Sequence, residues 1–306
     1  MRSVFRQVME QQAVNPYILG HVADGSSTFT FTVNGNESVT VPVDANGNWK
    51  WVVDRTITSL KDIFNDVRNI DYVEFFKIVG FNNCSNMLRS STNDTALKRV
   101  VFKKCDFSAV TNEANAFVRR YGLTEIIGLD ESKHKNNTTL NCTFQYCESL
   151  KFSDDFKWEN FAYSGITNLT GTFMNNKVNN GKIDLSNIIS VTSITSCFGN
   201  CSAVEIRLPQ NIPANCNTAG FMIANYVLKT ITANSISESL NFKDCYQLTA
   251  QSVVNLFNAV AADGITLTFH ATVYGMIQEQ LAIVGSDIYN AYYNKIQQYN
   301  FTIASA

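Results

Sequence analysis

The sequence predicts an α+β chain organised as a solenoid, with a small antiparallel β unit at its N-terminal end and a helical unit at its C-terminal end. Three observations predict it. A phrase of Phe, then Cys or another small apolar residue three positions on, then an aliphatic three further, restarts between Leu60 and Leu248. Alternating apolar residues punctuated by hairpin-turn signals precede that region, and apolar residues at helical spacing follow it. A recurrence of roughly 20 to 50 residues marks units that cannot bury their own apolar faces and must stack on neighbours.

Residues 1–16 read as an arm. Val4, Phe5, Val8 and Met9 share one face at helical spacing, and Asn15-Pro16 stops the pattern. A helix of about a dozen residues is marginal alone in water. The arm is therefore expected to dock, with these four side chains anchoring the protein to another subunit. Residues 17–54 read as a separate unit. Phe29, Phe31 and Val33, then Val39, Val41 and Val43, then Trp49, Trp51 and Val53 alternate with polar residues. Asn34-Gly35 and Asp44-Ala-Asn46-Gly47 separate the runs. The pattern predicts a three-stranded antiparallel meander, too small to stand alone, leaning on the first repeat as a cap.

Residues 55–248 carry the repeats. The clearest copies are Phe144-Gln-Tyr-Cys147-Glu-Ser-Leu150, Phe198-Gly-Asn-Cys201-Ser-Ala-Val204 and Phe242-Lys-Asp-Cys245-Tyr-Gln-Leu248, with a degenerate one at Phe64. Met87, Phe117, Phe173 and Phe221 open looser versions, so the anchors recur every 21 to 30 residues in about eight units. The predicted repeat core is Phe64, Phe144, Cys147, Leu150, Phe198, Cys201, Val204, Phe242, Cys245 and Leu248, with the three cysteines in one column. Each Phe and Cys is expected on a helical or turn segment, and the aliphatic at the start of a short strand such as 150–152 or 204–208. The inserts Ser90–Ala96, Ser132–Asn137 and Asn175–Lys182 read as polar surface loops.

Residues 249–306 change character. Val253, Val254, Leu256, Phe257 and Val260 fit a helix capped by Thr249 or Ser252 and ended by Asp263-Gly264. Ile265 to Phe269 alternates as a last strand, Gly275 to Tyr299 reads as one or two helices, and Phe301-Thr-Ile303 closes the unit. Such a unit would shield the last apolar face of an array.

Composition narrows the chemistry. Apolar content of 45% supports a continuous core, while 16% charged residues and 35 asparagines suit a chain of many tight turns. A net charge near −2 and the absence of long apolar runs argue against a nucleic-acid partner or a membrane span. The basic pairs Lys98-Arg99, Lys103-Lys104 and Arg119-Arg120 read as a solvated edge. His21, His134 and His270 have no ligand-spaced Cys or carboxylate, and neither nucleophile nor phosphate motifs occur. The reading is that of a non-enzyme without cofactor or metal. The residues around Arg2 to Glu10 do not form a signal peptide, so the eight cysteines are expected to be reduced and structural in a chain folded in a cytosol.

The phrase intact at Phe144–Leu150, the entry Asp54-Arg-Thr-Ile57-Thr-Ser-Leu60 after Asn46-Gly-Asn-Trp49, and the ending from Leu248 to Phe301-Thr-Ile303-Ala resemble the BspA-type leucine-rich repeats. The likeness covers nearly everything after residue 25. It departs from the pattern in its irregular period and in the lost Cys of the Phe117 and Phe173 copies. Such repeats occur in surface proteins of Bacteroides-group bacteria and in virion proteins of their phages. The resemblance implies a leucine-rich-repeat-like solenoid of BspA type. The expected role is a phage virion structural protein, as a fibre, head-decoration or tail-associated subunit assembled in the host cytoplasm. Its partners would be other virion subunits through the arm, a second copy of the chain, and a host surface protein or glycan. The alternatives are a bacterial cell-surface adhesin and a non-catalytic accessory domain of an enzyme.

Overall fold

Alternate backbone donors hold this molecule together. Leu60, Asp62, Phe64 and Asp66 donate their N–H groups to Asn83, Ser85, Met87 and Arg89 at 2.8–3.1 Å, one turn of the chain further on. Ile63, Asn65 and Val67 bond back instead to the carbonyls three residues earlier. The same alternation recurs through Phe117, Phe144, Phe173 and Phe198. A segment without helix or strand thereby pairs its backbone while running beside the core, which burial demands. A computed structural model of the 306-residue chain describes residues 15–178 and 181–306. They form a mixed α/β solenoid of about seven stacked turns with few helices.

The alternation needs left-handed residues at fixed places. One column runs Asp62, Asn86, Asn115, Cys142, Gly171, Ser196 and Gly220, with φ between 50° and 62°. A second runs Asp66, Arg119, Tyr146, Asn175, Asn200 and Ala224, with φ between 51° and 60°. Asn and Asp tolerate this region better than other residues with a Cβ. The asparagine-rich composition follows from the turn geometry.

Registered on this ladder, the interior position is held by Phe64, Leu88, Phe117, Phe144, Phe173, Phe198 and Met222. Met87 and Phe221, the expected anchors, sit one residue before it, although both are buried. The rings of Phe117, Phe144, Phe173 and Phe198 stack in sequence at 5.5–5.8 Å, one per turn. Leu88 and Met222 end that stack on either side. Phe242, the eighth anchor, leaves the turn ladder and lies in a strand, so about seven turns replace the expected eight.

The strands line another side of the turns. β1 (Tyr17–Val22), β2 (Thr28–Val33), β3 (Glu37–Pro42) and β4 (Asn48–Val52) precede the first turn. β5 (Ile70–Phe76), β6 (Arg99–Lys103) and β7 (Glu125–Ile127) follow in successive turns, pair in parallel, and join β1 and β4 in one sheet of order β4-β1-β5-β6-β7. The expected three-stranded meander is corrected here. β2 and β3 form a hairpin, but β4 keeps one bridge to it, Val43 to Trp49, and pairs with β1 instead. Gly20 admits this arrangement: a Cβ there would lie 2.5 Å from the Trp49 ring and from the Tyr72 carbonyl.

Residues 150–152, expected as a strand, form none. In that turn the short helix α1 (Trp158–Phe161) follows an irregular stretch. The strand row resumes with β8 (Lys182–Asp184) and β9 (Glu205–Arg207), passes β10 (Asn211–Ile212) on another side, and continues with β11 (Thr230–Thr232) in the order β11-β9-β8. β12 (Ser235–Ile236) pairs with β10, and β13 (Leu240–Phe242) leads into the last segment. There α2 (Ala250–Ala259) starts at Thr249, whose side chain accepts from the Ser252 N–H. β14 (Thr266–Phe269), α3 (Ala271–Leu281), α4 (Asp287–Ile296) and β15 (Thr302–Ser305) complete the chain. β14 is not the final strand, because β15 pairs with it in parallel and places it between β13 and β15.

Candidate binding cleft on the strand face

The sheet opens between β7 and β8. Two hydrogen bonds flank the gap between the turn of β7 and the turn that follows: Lys151 N–H to Thr124 O at 3.2 Å, and Lys157 N–H to Asp130 Oδ2 at 2.6 Å. Between them the chain arches away through Phe152, Ser153, Asp154, Asp155 and Phe156. Phe152 and Phe156 turn inward against Trp158, at ring separations of 4.9 and 4.7 Å. Burying two large rings four residues apart in one coil pulls the backbone out of strand register, and Ser153, Asp154 and Asp155 between them are left exposed. The result is a cleft of about 610 Å³ between β7 and the arch, lined by Glu125, Asp130, Glu131, Asp154 and Asp155 and by Lys151 and Lys157. Glu125 pairs with Arg99 at 2.8 Å and Glu131 with Lys157 at 3.4 Å. Asp154 and Asp155 have no ion-pair or hydrogen-bond partner among the described residues.

Nearer the N-terminal end, the same face holds a buried carboxylate. Glu74 accepts from Tyr17 at 2.9 Å, from Tyr72 at 2.7 Å and from the Lys103 ammonium at 2.8 Å. Burial alone would raise its pKa, but these three donors outweigh it and hold the carboxyl below its ordinary value. Burial, reinforced by Glu74, pushes the Tyr17 hydroxyl up to about 12. Each member of the group is satisfied by the others, so it braces β1, β5 and β6.

Two inserts expected on the surface fold inward. Asp94 is buried and meets Arg120, the second residue of a pair read from the sequence as part of a solvated edge. Arg120 is wholly buried and also donates to the carbonyls of Phe64 at 3.0 Å, Val67 at 2.7 Å and Leu88. Its fork of donors reaches across the two preceding turns, which is why a cation is stable there. Burial draws the guanidinium pKa down, against the pull of Asp94. In the next insert His134 and Asn137 are buried around Glu113. His134 Nδ1 lies 2.9 Å from Glu113 Oε1 and Nε2 lies 2.7 Å from Leu129 O, while Asn137 donates to Glu113 Oε2 at 2.7 Å. Phe107 stacks on the imidazole at 4.8 Å. Nothing in the spacing of Glu113 and His134 signals the pair, because the stacking of turns and not the local chain joins them.

Of the expected repeat core, Phe64, Phe144, Cys147, Leu150, Phe198, Cys201, Phe242, Cys245 and Leu248 are buried, and Val204 is half-buried with Ala203 and Ile206 filling the interior beside it. The cysteine column is corrected. From Phe117 onward, the position three residues after the interior one runs Arg120, Cys147, Asn176, Cys201 and Asn225, and Cys245 follows Phe242 beyond the turn ladder, so buried asparagines separate the thiols. This row serves the carbonyls of the preceding turn: Cys147 Sγ donates to Phe117 O at 3.0 Å and Asn176 Nδ2 to Cys147 O at 3.1 Å. All eight cysteines are unbridged, and burial pushes the thiols of Cys147, Cys201 and Cys245 up to about 12. Val4, Phe5, Val8 and Met9 lie outside the described residues.

Among the described residues no cluster of His, Cys, Asp and Glu could hold a metal ion, and no helix is long and apolar enough to cross a membrane. Compared with protein-family models, with curated proteins and with solved structures, the chain matches none.

Proposed function

We propose that the chain is a non-catalytic scaffold: a leucine-rich-repeat-like solenoid of BspA type acting as a phage virion structural subunit. In this reading the arm, through Val4, Phe5, Val8 and Met9, fastens it to a neighbouring subunit, and the strand face is turned toward a protein or host surface. The N-terminal strands and the segment from α2 to β15 act as the caps that an array needs.

The observation that carries the reading is where the reactive groups sit. The Cys147 thiol, the His134–Glu113 pair, the Arg120–Asp94 pair and the Glu74 cluster are each spent on neighbouring turns, and the Cys201 and Cys245 thiols are buried in the core. Groups with the chemistry for catalysis serve as internal fastenings, while the strand face offers a wide, shaped surface. Unbridged cysteines, seven of the eight buried, also suit assembly in a reducing compartment.

The test is mass spectrometry of phage particles purified from a culture that carries the gene, alongside its cell-envelope fraction. Peptides of the chain in the particles, lost on deletion of residues 1–14, are expected. Peptides in the envelope fraction alone would overturn the virion reading in favour of the adhesin, and normal incorporation of the deletion would overturn the anchoring role.

A further inference from the structure

We propose that the cleft between β7 and the 152–156 arch takes an extended, lysine- or arginine-bearing peptide as an added strand. The assignment rests on the cleft and not on the virion reading.

The backbone comes first. β6 covers one edge of β7, in the register Arg99 to Glu125 through Val101 to Ile127. On the other edge no backbone hydrogen bond crosses from residues 125–129 to residues 152–156 among the described residues, although the flanking ties at Thr124 and Asp130 are made. Elsewhere on this face β5, β6, β8 and β9 each pair with the strand of the next turn. The edge of β7 therefore keeps unpaired N–H and C=O groups inside a recess, and an exposed strand edge is a template for another strand. An extended peptide supplies those partners through its own backbone, the mode by which sheets are augmented.

Charge selects the occupant. The lining carries five carboxylates, Glu125, Asp130, Glu131, Asp154 and Asp155, against the two ammonium groups of Lys151 and Lys157. Asp154 and Asp155 stand exposed at the rim without partners, where an incoming cation reaches them without desolvation of a buried ion. An acidic peptide would meet repulsion, and a neutral one would leave both rim carboxylates unused. Ile127, just over one-third exposed, adds an apolar contact for alternate side chains of the added strand.

The experiment uses the full chain and a dye-labelled peptide of sequence Lys-Thr-Val-Lys-Val-Thr-Lys, read by fluorescence anisotropy at low salt. Saturable binding is expected, with hydrogen–deuterium exchange protection appearing at Glu125 to Gly128. Asp154→Asn together with Asp155→Asn, both at exposed positions, is expected to weaken binding about three- to tenfold. A peptide with Glu for each Lys should not bind, and one with N-methylated alternate amides should bind at least about tenfold more weakly. Failure of the lysine peptide to bind, equal binding of the N-methylated peptide, or equal binding of the acidic peptide would each overturn the proposal. Sedimentation showing that the chain self-associates, and that the double Asn variant does not, would assign the cleft to a second copy and overturn it as well.

Discussion

Replacing Arg120 by Leu tests how the turns are fastened. The guanidinium is wholly buried and serves Asp94 and the carbonyls of Phe64, Val67 and Leu88. In Arg120→Leu the buried Asp94 carboxylate loses its counter-ion, and breaking a buried pair costs about 3–5 kcal/mol. Each abandoned carbonyl adds about 1–3 kcal/mol if no other donor reaches it. Some of these terms overlap, because Phe64 O also accepts from the Val67 N–H. The expected loss is about 5 kcal/mol, a large share of the roughly 5–15 kcal/mol that holds a typical domain folded. Arg120→Lys keeps a charge for Asp94 but cannot span the carbonyls of two turns, and should cost about 2–3 kcal/mol. Combining Arg120→Leu with Asp94→Leu removes the stranded carboxylate and should recover about 2 kcal/mol relative to the single variant. Urea unfolding followed by circular dichroism reads all three, with the double-mutant cycle isolating the pair. The reasoning fails if Arg120→Leu lies within about 1 kcal/mol of the parent, or if the double variant is no more stable than the single one.

The His134–Glu113 pair makes stability fall as pH rises above the ordinary histidine value. Burial alone would lower the His134 pKa, but Glu113 and the Leu129 carbonyl outweigh it, so the folded value lies above the ordinary 6.5. The stabilisation is full below that value and is lost as pH rises through the raised folded pKa. Urea midpoints of the parent should decline over this range relative to Glu113→Gln, and parallel curves would sink the argument. For the thiols, Cys142 is half-buried and should react first with an alkylating reagent, whereas Cys147, Cys201 and Cys245 should label only on unfolding. Mass spectrometry at intervals settles the order. Gly171→Ala places a Cβ 3.2 Å from Cys142 Sγ on a backbone with φ near 61°, and should destabilise by about 1–2 kcal/mol. Ser196→Gly, in the same column at φ 50°, should stabilise by about 0.5–1 kcal/mol in thermal or urea unfolding.

Much of the architecture is written locally. The spacing of Phe117, Phe144, Phe173 and Phe198 announces a stacked core because each turn must present one large ring at the same place, and the rings do stack. The β2–β3 hairpin is legible in Asn34-Gly35, and α2 in Thr249, since turn and cap chemistry act within a few residues. What escapes the sequence is coupling between turns. Whether Met87 or Leu88 faces inward depends on how many residues the preceding turn spends on its loop, and a slip of one is invisible to an apolar pattern that accepts either. Tyr17–Val22 carries no strand signal, because Gly20 and His21 break its alternation, yet it pairs on both edges once Trp49 and Tyr72 close over the glycine. The cleft has the same origin. Residues 150–152 read as a strand until packing of Phe152 and Phe156 against Trp158 pulls the backbone away from β7. By itself the sequence determined the repeated unit, because periodicity is a local demand of burial. Only the tertiary structure decided which units touch, since Arg120 with Phe64 and His134 with Glu113 meet through the length of the intervening turns and not through any spacing along the chain.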